Sequence, residues 1–174
     1  MLQSNNNKKK KKKWLTKKII EKLKYELKEN QENYNIFLHN YGKILKEWIY
    51  YEAEMKEDIA SVVKFHSLLE NRDITLDEYL EKASPLKKEA WENERASNKN
   101  IYYITAKSIS EAKANPYIDQ FQKQNIDVLL LTDTIDEWVV WVLKNYQEIE
   151  TIISGYIEQN MKKIRNLMSR LKIK

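Results

Sequence analysis

Ile101-Tyr102-Tyr103-Ile104-Thr105 and, after 22 intervening residues, Val128-Leu129-Leu130-Leu131 decide the fold. The first run is rich in β-branched and aromatic side chains, and the second is continuously apolar, as a strand covered on both faces must be. Between them, Ser108 and Glu111 open a short helix, Asn115-Pro116 breaks it, and a second helix runs through Gln124. A strand, a helical crossover and a strand predict a parallel pair with a right-handed connection in a layered α/β unit. Downstream, Thr134 and Glu137 have capping-box spacing, and Ile135, Trp138, Val139, Val142, Leu143 and Tyr146 mark an apolar helical stripe. Ile149, Ile153 and Ile157 extend that stripe and predict a long last helix, weakened in its middle by Gly155.

Upstream of the strands the periodicity is helical. Leu15, Ile19, Leu23 and Leu27 recur every fourth residue; Tyr34, Phe37, Leu38, Tyr41, Ile44, Leu45, Trp48 and Ile49 form a wider stripe; and Met55, Ile59, Val62, Val63 and His66 outline a shorter third helix. Residues 1–13, with Asn5 to Asn7 and six consecutive lysines, have little to bury and are expected to be a disordered tail. Residues 14–70 then form the helical segment, 71–100 a linker with a short polar helix, 101–147 the layered lobe and 148–174 a basic C-terminal helix. Thr75 with Glu78, and Ser84 before Pro85, are helix-start signals inside the linker.

Composition narrows the function. With no cysteine there is no disulfide framework, thiol nucleophile or Cys-type zinc site, and His39 and His66 are the sole imidazoles. Residues 1–30 hold 11 Lys against 3 Glu, residues 31–158 hold 14 basic against 23 acidic, and residues 159–174 hold 6 basic and no acidic, so an acidic body lies between basic ends. No apolar run approaches the ~20 residues that span a bilayer, and the N-terminus lacks a signal-peptide core. A soluble, intracellular, non-secreted protein is the expectation. Asp133, Asp136 and Glu137 sit at a helix start without a nucleophile or histidine nearby in sequence, so capping accounts for them better than catalysis or metal binding. The lysine run beside Trp14 invites a nucleic-acid reading, but 27 Lys against 4 Arg lacks the guanidinium forks of specific recognition.

Taken with Asn115-Pro116-Tyr117 and Asp127 through Trp138, the two strands resemble the small αβα unit that ends the middle domain of the 90-kDa heat-shock chaperone family. Tyr34, Phe37, Tyr41-Gly42, Leu45-Lys46, Asp58-Ile59-Ala60, Phe65-His66-Ser67 and Thr75-Leu76-Asp77-Glu78-Tyr79 resemble the helical segment preceding it. The likeness covers about residues 14–147, and the wording around Ile59 and Trp138 is closest to bacterial and organellar members. It departs in the 21 residues between Tyr79 and Ile101, in Trp48 where the family has glycine, and in residues 147–174, which match no dimerisation domain. The resulting expectation is a predominantly helical α/β chain: a three-helix segment, then a small αβα lobe with a short parallel strand pair and a long C-terminal helix.

The resemblance implies an ATP-driven chaperone whose cofactors, ATP and Mg, are held by a nucleotide-binding domain that this sequence does not contain. Met1-Leu2-Gln3 is similar to the start of the family's catalytic loop, with Gln3 at a γ-phosphate-contacting position, but the partner arginine is missing. No enzymatic activity and no cofactor are therefore expected of this chain. Glu137 and Trp138 match family positions that contact clients, and Trp141 lies three residues on, where the two indoles can share an edge. Packing of Trp138 in the helix stripe fits the same spacing. The implied function is binding of partly unfolded clients or co-chaperones, in a cytoplasmic, mitochondrial or plastid setting. The alternatives are an RNA- or membrane-surface-binding adaptor acting through Lys8 to Lys13, and a structural helical partner.

Overall fold

The computed structural model describes residues 2–82, 100–123, 125–147 and 149–153. Helix α1 (Leu2–Glu29) and helix α2 (Gln31–Tyr51) form a hairpin hinged at Asn30. Thr16, Ile20 and Leu23 of α1 are buried, as are Tyr34, Leu45, Lys46 and Ile49 of α2. Helix α1 starts at Leu2, where the sequence suggested a disordered tail. Lysine is a good helix former, and Lys12 and Lys13 pair with Glu52 and Glu54 beyond the end of α2.

The third helix is shorter than its spacing suggested. A 3-10 turn (Ala53–Met55) leads into α3 (Lys56–Ala60), and the chain then turns into strand β1 (Lys64–Ser67). Val62 and Val63 still close turns onto Ile59 O and Ala60 O, and the chain extends from Lys64, where β1 gains two strand partners that a helix would forgo. Strand β2 (Asp73–Thr75), in the stretch expected to be a linker, pairs antiparallel with β1 through a turn in which Asn71 takes a φ of 51°. Helix α4 (Leu76–Lys82) follows, its first turn capped by Thr75, whose Oγ1 accepts from Glu78 N at 3.1 Å as the spacing predicted. The helix start at Ser84-Pro85 lies outside the described residues.

The lobe has the predicted centre. Strand β3 (Asn100–Thr105), the short helices α5 (Ile109–Lys113) and α6 (Ile118–Lys123), and strand β4 (Leu129–Leu131) make the crossover, with Tyr103, Ile104 and Thr105 opposite Leu129, Leu130 and Leu131 in parallel register. Ser108 Oγ accepts from Glu111 N at 3.2 Å, as expected. Helix α7 (Thr134–Leu143) starts one residue earlier than its Thr134–Glu137 spacing indicated. Its capping pair is Asp133 and Asp136, with Asp133 N donating to Asp136 Oδ2 at 3.1 Å.

The helix ends at Leu143, and the continuous stripe through Ile149 and Ile153 is corrected. After Lys144 (φ 30°) the chain forms β5 (Asn145–Tyr146), turns at Gln147 (φ 49°), and enters β6 (Ile149–Ile153). Strand β6 lies parallel to β3 and satisfies the backbone groups along its open edge, a non-local gain that outweighs the helical spacing. The helix expected beyond residue 153 lies outside the described residues.

The sheet order is β2-β1-β4-β3-β6-β5, a mixed six-stranded sheet. Alternation along the strands divides the core. Phe65, Ile101, Tyr103, Leu129 and Leu131 face α1, α2, α4 and α7, whereas Tyr102, Ile104 and Leu130 face α5 and α6. Tyr79 ties the layers together from within: its hydroxyl donates to Asp127 O at 2.8 Å and accepts from Tyr102 N at 3.1 Å. The helical segment and the lobe thus share one sheet and one principal core.

Candidate functional site

Helix α7 buries Asp136, Val139 and Leu143 against the sheet and α2. With 3.6 residues per turn, Glu137, Trp138 and Trp141 are left on its outer side. Trp138 is 55% exposed and Trp141 63%, which excludes packing of Trp138 in the core. Two aromatics that sequence reasoning missed join them from the end of α2. Tyr50 meets Trp138 edge-to-face, with ring centroids 5.9 Å apart and planes at 84°, and Tyr51 meets Tyr50 in the same manner at 5.3 Å. The signal was present in the sequence: the buried residues of α2 run through Leu45 and Ile49, and consecutive tyrosines after them cannot both follow that stripe.

The position of α7 on α2 is fixed by charge. Lys46, buried on α2, forms ion pairs with Asp136 Oδ1 at 2.6 Å and Asp133 Oδ2 at 3.1 Å, and lies 5.1 Å from the centroid of the Phe65 ring. Lys43, one turn earlier, pairs with the other Asp133 oxygen at 3.2 Å. Burial pushes the Asp136 carboxyl above its usual range despite the lysine. At Asp133 burial acts in the same direction, but Lys46 and Lys43 together outweigh it and hold the group low. At the far end of the seam, Lys56 Nζ donates to Val142 O at 3.0 Å. Burial first, and the Glu137 charge second, push the Tyr103 hydroxyl up to about 12.

Glu137, Trp138 and Trp141 are therefore brought together on one rim, with Tyr50 and Tyr51 completing it. Gln3 falls in the first turn of α1, and its side chain lies outside the described residues. His39 is exposed on α2, and His66 sits on β1 with Nδ1 2.9 Å from Asp73 Oδ1. Among the described residues no group of three or more His, Cys, Asp or Glu side chains is placed to hold a metal ion, and no helix is long and apolar enough to cross a membrane.

The sequence model of the Hsp90 protein family matches residues 1–162. The chain belongs to the Hsp90 family. Among curated Hsp90 relatives it is similar to the chaperone protein HtpG of Alkalilimnicola ehrlichii, 33% identical over 163 residues that cover 91% of this chain and 23% of that protein. It is also similar to HtpG of Buchnera aphidicola from Baizongia pistaciae, 35% identical over 137 residues covering 77% of this chain and 20% of the relative. The chain thus spans about a quarter or less of the curated relatives it matches. A solved structure with the same fold is the middle domain of a heat-shock protein of Plasmodium falciparum, at a TM-score of 0.69 and 27% identity, covering 81% of this chain and 55% of that one. The α/β architecture, predominantly helical around a small mixed sheet, is the Hsp90 middle-domain fold.

Proposed function

We propose that this chain is a protein-binding part of an Hsp90-type chaperone and that the rim formed by Glu137, Trp138, Trp141, Tyr50 and Tyr51 holds partly unfolded client segments or a co-chaperone. The observation that carries this reading is the exposure of Trp138 and Trp141 beside a tyrosine packed edge-on. Large aromatics offer apolar area at low entropic cost, and a cluster of them left in solvent marks an interaction surface. The neighbouring Glu137 keeps the surface soluble and limits non-specific collapse. ATP turnover belongs, in this reading, to other parts of an intact family member, and this chain contributes contact rather than chemistry. Lys12 and Lys13 are engaged by Glu52 and Glu54, which weakens the case for an RNA- or membrane-binding adaptor built on that run.

The test is suppression of aggregation of a partly unfolded model protein, followed by light scattering. Replacing both Trp141 and Tyr51 by alanine should abolish most of the suppression while the unfolding midpoint stays near that of the parent, since both side chains are mostly in solvent. Undiminished suppression by the double variant would remove the rim from the account.

A further inference from the structure

On another part of α2, away from the aromatic rim, a cleft of about 830 Å³ separates the helix from the β1–β2 hairpin. Its size falls within the roughly 300–1,000 Å³ typical of small-ligand sites. Leu38 and Val63 give it an apolar wall, and Lys43, Lys64, His66 and Arg72 bring cationic or titratable groups to it. Its lining carboxylates are already engaged: Asp133 by Lys43 and Lys46, and Asp73 by His66. Arg72 is engaged as well, by Glu78 at 2.8 Å.

Among the described residues, two partly buried groups in the cleft have unused capacity, and both lie on β1. Lys64 is partly buried, and among the described residues it has no carboxylate within ion-pair range. Its ammonium donates to Asn35 Oδ1 at 2.8 Å and lies 5.7 Å from the centroid of the Tyr34 ring. Burial holds its pKa below the usual lysine value, the mark of a cation short of compensation. His66 Nε2 is buried with no hydrogen-bond partner. Because Nδ1 faces the Asp73 carboxylate, an acceptor, it carries the ring proton, and Nε2 of the neutral ring is a free acceptor. Lys64 and His66 alternate around Phe65, so they leave the same side of the strand, with about 6.6 Å of backbone between their Cα atoms, and both line the cleft.

We propose that this cleft binds a small phosphate monoester, with Lys64 donating to its anionic oxygens and His66 Nε2 sharing its proton. A phosphate monoester suits both groups because its second ionisation lies near pH 6, so it carries negative charge and can also supply a proton at neutral pH. A carboxylate, fully ionised there, satisfies Lys64 and leaves Nε2 without a donor. The apolar wall takes the organic part of the ligand.

The experiment is a titration of the full ¹⁵N-labelled chain with glycerol 2-phosphate, with succinate and sodium sulfate as parallel arms at matched ionic strength. Saturable shifts confined to backbone amides of residues 35–43 and 63–67, stronger for the phosphate than for succinate, are expected. Lys64→Met should weaken binding about tenfold, the loss of one charge-assisted hydrogen bond, with the unfolding midpoint unchanged, and Lys64→Arg should largely restore it. Equal shifts from all three anions would identify general screening and overturn the proposal. So would phosphate binding that Lys64→Met leaves intact. A succinate preference would transfer the site to carboxylates and overturn the role given to Nε2.

Discussion

Along the seam between α2 and α7, one end is closed by charge and the other is left open by aromatic rings. At the closed end a buried lysine holds two aspartates, one of them almost fully enclosed. At the open end Tyr50, Tyr51, Trp138 and Trp141, whose combined apolar area could have extended the core, stand in water. The difference is one of division of labour. A desolvated ion pair contributes little net stability but tolerates few alternative arrangements, so it sets where α7 lies. With the helix so fixed, the rings beyond it can be lost without endangering the fold, and in the proposed reading they serve an outside partner.

The largest expected effect comes from breaking the closed end. Lys46→Met removes the one cation that, among the described residues, lies within ion-pair range of Asp136, leaving a buried carboxyl without compensation. A loss of about 3–5 kcal/mol in urea denaturation at neutral pH is expected. Because burial already raises the Asp136 pKa, the variant has an escape: protonation. Its deficit relative to the parent should therefore shrink as the pH is lowered. A deficit below about 1 kcal/mol, the level of an exposed pair, would show that the seam is held by apolar packing alone.

Asp133 gives a smaller effect that also fades on acidification, for a different reason. Its folded pKa lies below the ordinary 3.8, so its contribution is present above that value and is lost as pH falls through the folded one. Asp136, raised on folding, runs the other way: its contribution is present at low pH and is lost as pH rises through its folded value. Asp133→Asn should cost about 1 kcal/mol or less at pH 6, since the group is a third exposed, and the gap to the parent should close towards pH 3. Thermal unfolding of both proteins across that range is the measurement. A gap that widens on acidification would reverse the roles assigned to the two aspartates.

How much of this was legible in the sequence follows from where each signal resides. Strands β3 and β4 were readable because Ile101 to Thr105 and Val128 to Leu131 are contiguous runs that suit extended backbone covered on two faces. Strand β1 was not, because Ile59, Val62, Val63 and His66 fall at spacings of three, one and three, which a helix and a turn into a strand satisfy equally. Strand β6 failed for the same reason: Tyr146, Ile149 and Ile153 continue a helical stripe, and what overrides it is the edge of β3, some 50 residues away in the chain. The candidate site divides likewise. Trp138 and Trp141 were local to one helix. The contact between Tyr50 and Trp138, and the ion pair between Lys46 and Asp136, join residues about 90 positions apart and exist only once the sheet has brought α2 and α7 together.

The smallest effect on stability is expected at the open end, and there the functional consequence should be the greatest. Trp138→Arg places a charge at a position 55% exposed, where substitution typically costs within about 0.5 kcal/mol, apart from the modest loss of its edge contact with Tyr50. Helix content and urea midpoint should stay close to those of the parent. Suppression of aggregation should nevertheless fall, because the substitution removes the flat apolar face and puts a charge in its place. Val139→Arg, one position along the same helix, is the contrast: that side chain is 1% exposed, and an unpaired charge there should unfold the lobe. If Trp138→Arg destabilises as severely as Val139→Arg, the indole is structural and the seam has no open end. If it folds normally and suppresses aggregation as well as the parent does, the aromatic rim is exposed without being the binding surface.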